Sequence, residues 1–145
     1  MGTPALLQDY FFVGQLIAQR LAEQLPDVPV DVCETVEQVL QADQRANVLM
    51  VMWAGERFGD RAAGGRAQKL RQMWLVILGL NHVGKAADAR HQKAGPLLSQ
   101  VHQALAGWTP EGAYTPLVRA NAGARPDINR NKALYPLGFE IELSL

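Results

Sequence analysis

The chain has 145 residues, 48% of them hydrophobic and 19% charged. That balance excludes a disordered chain. Fourteen Lys and Arg offset fourteen Asp and Glu, so bulk charge gives no affinity for nucleic acid. The length suits one domain spanning residues 1–145.

The longest apolar run is residues 73–80, 8 residues, against the roughly 20 that a membrane-spanning helix needs. The first residues carry no basic stretch and no small-residue cleavage site, so no signal peptide is expected. One cysteine, Cys33, makes no internal disulfide and fits a reducing compartment.

The charge is segregated. Residues 1–45 hold seven acids and two bases, and residues 57–93 hold eight bases and two acids. Two solvated faces of opposite sign would produce this, and so would a self-complementary surface that packs head to tail.

Leu6, Leu7, Tyr10, Phe11, Gly14, Ile17, Ala18, Leu21 and Leu25 recur at helical spacing. They predict one amphipathic helix of five to six turns, ended by Pro26. Val28, Val30 and Val32 alternate with polar or proline positions and predict a short strand. Thr35 is placed to cap a short helix over 36–42. Residues 47–58 and 70–83 are the strongest strand signals, because their cores are apolar at every position.

Between those strands, residues 59–69 are basic, Gly-rich and without an apolar anchor. They predict a long, mobile hairpin loop. Leu97, Leu98, Val101, Leu105 and Trp108 predict a second helix, with Pro96 near its first turn and Gly107 at its end. Residues 115–120 read as a short strand and 121–132 as a loop. At the C-terminus Phe139, Ile141, Leu143 and Leu145 alternate with Glu140, Glu142 and Ser144, a half-buried strand. The fold class is α+β, a largely antiparallel sheet with two main helices on one face.

Catalytic signals are few. Residues 79–85, from Gly79 to Lys85, have the spacing of a phosphate-binding loop, but Ala86 stands where a Ser or Thr hydroxyl is needed for Mg²⁺. A small nucleotide-binding enzyme built on Gly79 and Lys85 is the alternative to a structural protein. His91 and His102 would lie about 16 Å apart even on one helix, and no Cys/His cluster has metal-binding spacing. Asp31 and Glu34 raise rather than lower the Cys33 thiol pKa, which disfavours a nucleophile. Glu140 and Glu142 lie about 7 Å apart on one strand face, a spacing open to acid–base work but equally that of a solvent or interface face. Neither serine sits in a nucleophile motif. No catalytic residue, cofactor or metal ligand is assigned.

The element order, the Leu-Leu-x-x-Val-x-x-Ala-Leu-x-Gly-Trp helix over 97–108 and the Tyr-Pro-Leu-Gly-Phe-Glu-Ile-Glu-Leu strand over 135–143 resemble the tail terminator (tail-completion) proteins of long-tailed bacteriophages, in particular the Mu-like prophage group. The resemblance implies a ring, hexameric in the family, that caps the head-proximal end of the tail tube. Such a ring stops tube polymerisation and offers the surface that joins tail to neck. It also implies no enzymatic activity, no cofactor, and DNA passing through the lumen unread. The partners implied are other copies of the chain, the tail tube protein and a neck or head-completion protein. The location implied is the virion tail, after assembly in the host cytoplasm. Another neck or adaptor component would share these features.

The residues expected at a subunit or tube interface are Arg57, Arg61, Arg66, Lys69 and Arg71 in the basic arm, and Phe139, Glu140 and Glu142 in the final strand.

Overall fold

The computed structural model describes residues 4–35, 37, 47–62, 67–81, 86–121, 123–128 and 132–144. In chain order the elements are α1 (Ala5–Gln8), α2 (Phe12–Gln24), β1 (Val30–Val32), β2 (Asn47–Ala62), β3 (Ala67–Asn81), α3 (Ala87–Leu105), β4 (Val118–Arg119), β5 (Asp127–Ile128) and β6 (Lys132–Ser144). Apart from residue 37, the expected helix over 36–42 falls outside the described residues.

β3 is the middle of the sheet, which runs β1-β2-β3-β6-β4 with β5 also on β6. β1 joins β2 in parallel, and every other pairing is antiparallel. With a neighbour on each side and apolar residues on both faces, β3 has to be apolar at nearly every position. Alternation puts Leu70, Trp74, Val76 and Leu78 on one face, where they join Leu49, Val51, Phe139 and Ile141 in the main core. Both long helices cover that face: α2 buries Val13, Gly14, Ile17 and Leu21, and α3 buries Ala94, Val101, Ala104 and Leu105. The other face carries a smaller cluster of Val48, Met50, Leu75, Ile77 and Leu134.

The expected N-terminal helix is two helices. Asp9 interrupts it, because its carboxylate accepts the Phe11 backbone N–H at 3.0 Å and the Gln15 side-chain amide at 3.2 Å. A short acid bonding two residues ahead competes with the helical ladder. The break lets the neighbouring rings of Tyr10 and Phe11 reach the sheet, edge-on to one another.

The second helix starts ten residues earlier than the apolar spacing suggests. Pro96 lies inside it rather than in its first turn. Alanines at 87, 89 and 94 favour the helix in its first turns, and Ala94 is buried against the main core. Pro96 denies the Gln92 carbonyl its helical donor; both residues are exposed, which leaves that carbonyl open to solvent rather than buried and orphaned. His91 and His102 therefore do share one helix, against expectation, and stay too far apart to chelate one ion.

The hairpin ladder is also longer than its hydropathy. Arg61 pairs with Gln68 and Ala62 with Ala67, so most of the residues expected as loop are strand. Two register shifts, between Trp53 and Glu56 and between Phe58 and Arg61, each insert one extra residue in β2. At the first, Gly55 takes φ +109°, a region that L side chains rarely adopt. The expected strand over 115–120 shrinks to β4, and the expected loop over 121–132 contains β5 and the first residue of β6.

Candidate interaction surface

The N-terminal break meets the first bulge of β2. The extra residue there puts Glu56 opposite Gln72 and on the same face as Trp53, within reach of α2's approach. Tyr10 Oη donates a hydrogen bond to the Glu56 carboxylate. Burial, then the Glu56 bond and its charge, push the Tyr10 phenol up to about 12. Gln72, fully buried, donates to the Tyr10 carbonyl at 2.9 Å and accepts from the Trp74 indole at 3.1 Å. Its polar atoms are thereby satisfied inside the core. The chain Trp74–Gln72–Tyr10–Glu56 fixes the N-terminal segment to the sheet.

Next to this chain Phe11 lies edge-on to Trp53 at 5.6 Å and to Trp74 at 6.4 Å. Both distances suit aromatic pairs. They border a groove of about 650 Å³ that Val32, Cys33 and Glu34 also line. Burial first, and Asp31 second, raise the Cys33 thiol pKa, as its acidic neighbourhood implied. The groove opens where β1 ends: among the described residues the last backbone hydrogen bond on that side of β2 runs from the Cys33 N–H to the Val51 carbonyl at 3.0 Å. From Met52 onward no described strand pairs with the outer edge of β2.

The other sheet edge is occupied. Val118 and Arg119 pair with Glu140 and Phe139, Asp127 and Ile128 with Leu134 and Ala133, and the Thr115 hydroxyl takes both backbone groups of Glu142. Phe139 is fully buried opposite Trp74, with the Arg119 guanidinium 5.6 Å above its ring. Glu140 and Glu142 are half-exposed on the opposite face.

The basic arm and the C-terminal glutamates meet on that face. Arg57 stands opposite Arg71, and Arg71 opposite Glu142, in one row across three strands. Lys69 is opposite Ser144. Arg57, Lys69 and Arg71 are exposed; Arg61 is in the ladder, and Arg66 lies outside the described residues. Sequence reading missed the groove. The sign available was Tyr10-Phe11-Phe12, three successive aromatics that one helix would spread at 100° intervals and so could not bury together.

Gly79 lies within β3, between Val48 of β2 and Leu134 of β6. A Cβ there would come within 3.1 Å of Val48. The first glycine of the supposed phosphate loop is thus mid-sheet, with its backbone used in the ladder; residues 82–85 lie outside the described set. Among the described residues no group of three His, Cys, Asp or Glu is placed to hold a metal ion. No described helix is long and apolar enough to cross a membrane.

A family profile described as phage tail terminator protein matches residues 7–145. The chain belongs to the phage tail terminator family. Members of that family are structural proteins of phage tails, so the chain is a virion component. No curated protein matches it. A solved structure shares the tail terminator chain's fold at 14% identity, with a TM-score of 0.52, covering 98% of this chain and 96% of that one.

Proposed function

We propose that residues 1–145 act as one domain that closes with five further copies into a ring on the head-proximal end of the tail tube. The ring halts tube growth and presents the surface that the neck or head-completion protein binds. DNA crosses its lumen without being read, and no cofactor or bond-making centre takes part. Assembly takes place in the host cytoplasm. Among the interface residues Arg57, Arg61, Arg66, Lys69 and Arg71 supply charge, Glu140 and Glu142 face outward from β6, and Phe139 supports that strand from beneath.

Family membership supports the tail role, and one observation carries the ring: among the described residues no strand pairs with the outer edge of β2 beyond Val51, while the β6 edge is closed by the chain itself. A subunit with one open edge and one capped edge is suited to contact its neighbours through different surfaces, and such contacts make a ring when their rotation closes. Native mass measurement and negative-stain images, with and without purified tail tubes, test it. A sixfold species, or six-membered caps on one end of tubes, is the expected result. Caps at the distal end, or tubes of unregulated length in the protein's presence, would remove the proposal.

A further inference from the structure

The two lateral flanks of the sheet differ in charge. β1 and β4 stand at opposite ends of the strand order. Residues 27–37, which contain β1, hold Asp27, Asp31, Glu34 and Glu37 and no Lys or Arg. Residues 115–126, which contain β4, hold Arg119 and Arg125 and no acid. Asp27, Glu34, Glu37, Arg119 and Arg125 are all exposed.

The basic flank also contains a recess. Helical spacing gathers Leu98, Ser99, His102 and Gln103 on one stripe of α3. Strand pairing sets Arg119 opposite Phe139, on the face that α3 covers. With Leu137 these residues line a pocket of about 320 Å³, and no described carboxylate is among them. Arg119 is fixed there: its Nε donates to the Gly138 carbonyl at 3.2 Å, and its guanidinium sits 5.6 Å above the Phe139 ring. Among the described residues its terminal nitrogens, the Ser99 hydroxyl and the Gln103 amide make no hydrogen bond. A planar guanidinium with further donors beside it, over the apolar Leu98 and Leu137, suits a carboxylate.

From this complementarity we infer that the pocket takes a carboxylate from residues 27–37 of a second copy. The basic arm is a poorer counterpart for that acidic flank, since Arg71 already stands opposite Glu142 of its own chain. The two flanks are different surfaces at opposite ends of one sheet. The contact therefore runs head to tail, leaves one free flank of each kind, and repeats. The inference rests on the ring proposed above and names the contact that builds it.

Two variants reverse the two flanks: Arg119→Glu, and Asp27→Lys with Glu34→Lys and Glu37→Lys. Each alone should weaken self-association about tenfold or more, because like charges then meet. Analytical ultracentrifugation, with and without purified tail tubes, reads this, and an unchanged circular dichroism spectrum shows that the chain stays folded. Mixed in equal amounts, the two should associate again into rings that contain both, since every reversed flank then meets its opposite. Should Arg119→Glu unfold, Gln103→Glu takes its place: it puts a carboxylate in the pocket at an exposed helical position where Glu suits the helix as well as Gln. A mixture that stays as weakly associated as its components overturns the inference. So does a mixture that stops at dimers, which would mean a symmetric contact. Variants that keep free rings but lose attachment to tubes give the pocket to the tube protein and overturn it too. If both variants form sixfold rings like the wild type, the contact fails and the ring stands. If the wild type forms no rings even on tubes, the underlying proposal fails.

Discussion

Thr115 closes the sheet edge at Glu142 with a single hydroxyl. Its Oγ1 donates to the Glu142 carbonyl at 3.1 Å and accepts the Glu142 N–H at 3.0 Å. One side chain so does what a paired strand would do for that residue. Thr115→Val keeps the shape and removes both bonds. It should cost about 1–2 kcal/mol, because two half-buried backbone groups lose their partner. Thr115→Ser should stay close to wild type. Urea unfolding followed by tryptophan fluorescence checks both, and equal midpoints for the Val and Ser variants would show that water replaces the hydroxyl.

Much of this fold was legible because hydrophobic period and burial coincide in it. β3 overlaps the expected strand over 70–83 with its ends moved by two to three residues, β6 starts at Lys132, seven residues before the C-terminal alternation, and that alternation correctly puts Phe139 inward and Glu140 outward. The signals failed where a polar contact or propensity overrides the period. Asp9 breaks a helix whose apolar spacing runs on through it. Alanines extend α3 to the N-terminal side of Pro96 with only the small Ala94 buried against the core. The β2–β3 ladder continues through Gly59 and Arg61, since strand pairing needs backbone partners and not apolar side chains. The groove escaped for a different reason: it depends on Phe11 and Trp53, 42 positions apart, meeting through a bulge that sequence spacing does not announce.

Gly14 sets the distance between α2 and the sheet. A Cβ at that position would lie 2.4 Å from the Trp74 ring, which is fixed by its bond to Gln72. Gly14→Ala therefore has to push the helix or the indole away. Overpacking of this kind typically costs about 1–3 kcal/mol, more than the helix propensity of alanine returns. A lower urea midpoint with altered tryptophan emission is the expected outcome. An unchanged midpoint would mean that α2 shifts without cost.

Tyr10 makes stability depend on alkaline pH. Its phenol is raised from 10.0 to about 12 in the folded chain. Between those values the unfolded chain has lost the proton that the folded chain keeps, so ionisation draws the equilibrium toward unfolding. The contribution is complete below pH 10 and is lost as pH rises toward 12. Tyr10→Phe should flatten that part of the profile while lowering stability at neutral pH through the lost Glu56 bond. Unfolding midpoints from pH 8 to 12 compare the two proteins. Parallel profiles would show that Tyr10 ionises at its ordinary pH.

Charge reversal in the basic arm separates folding from assembly. Arg57 and Arg71 are like charges directly opposite one another, an arrangement that disfavours the sheet. Arg57→Glu turns that contact into an attractive pair, and Lys69→Glu changes an exposed residue opposite Ser144. Exposed charges on a sheet are worth little, so the double variant's monomer should stay within about 1 kcal/mol of wild type. Its assembly should suffer, because cations proposed for the subunit or tube interface have become anions. Wild-type association should weaken with added salt, as exposed charge contacts are screened within about 10 Å at 0.1 M. Analytical ultracentrifugation over a salt series, with urea unfolding alongside, reads both effects. A folded double variant that still forms rings and completes tails would show that the arm is only a solvated face.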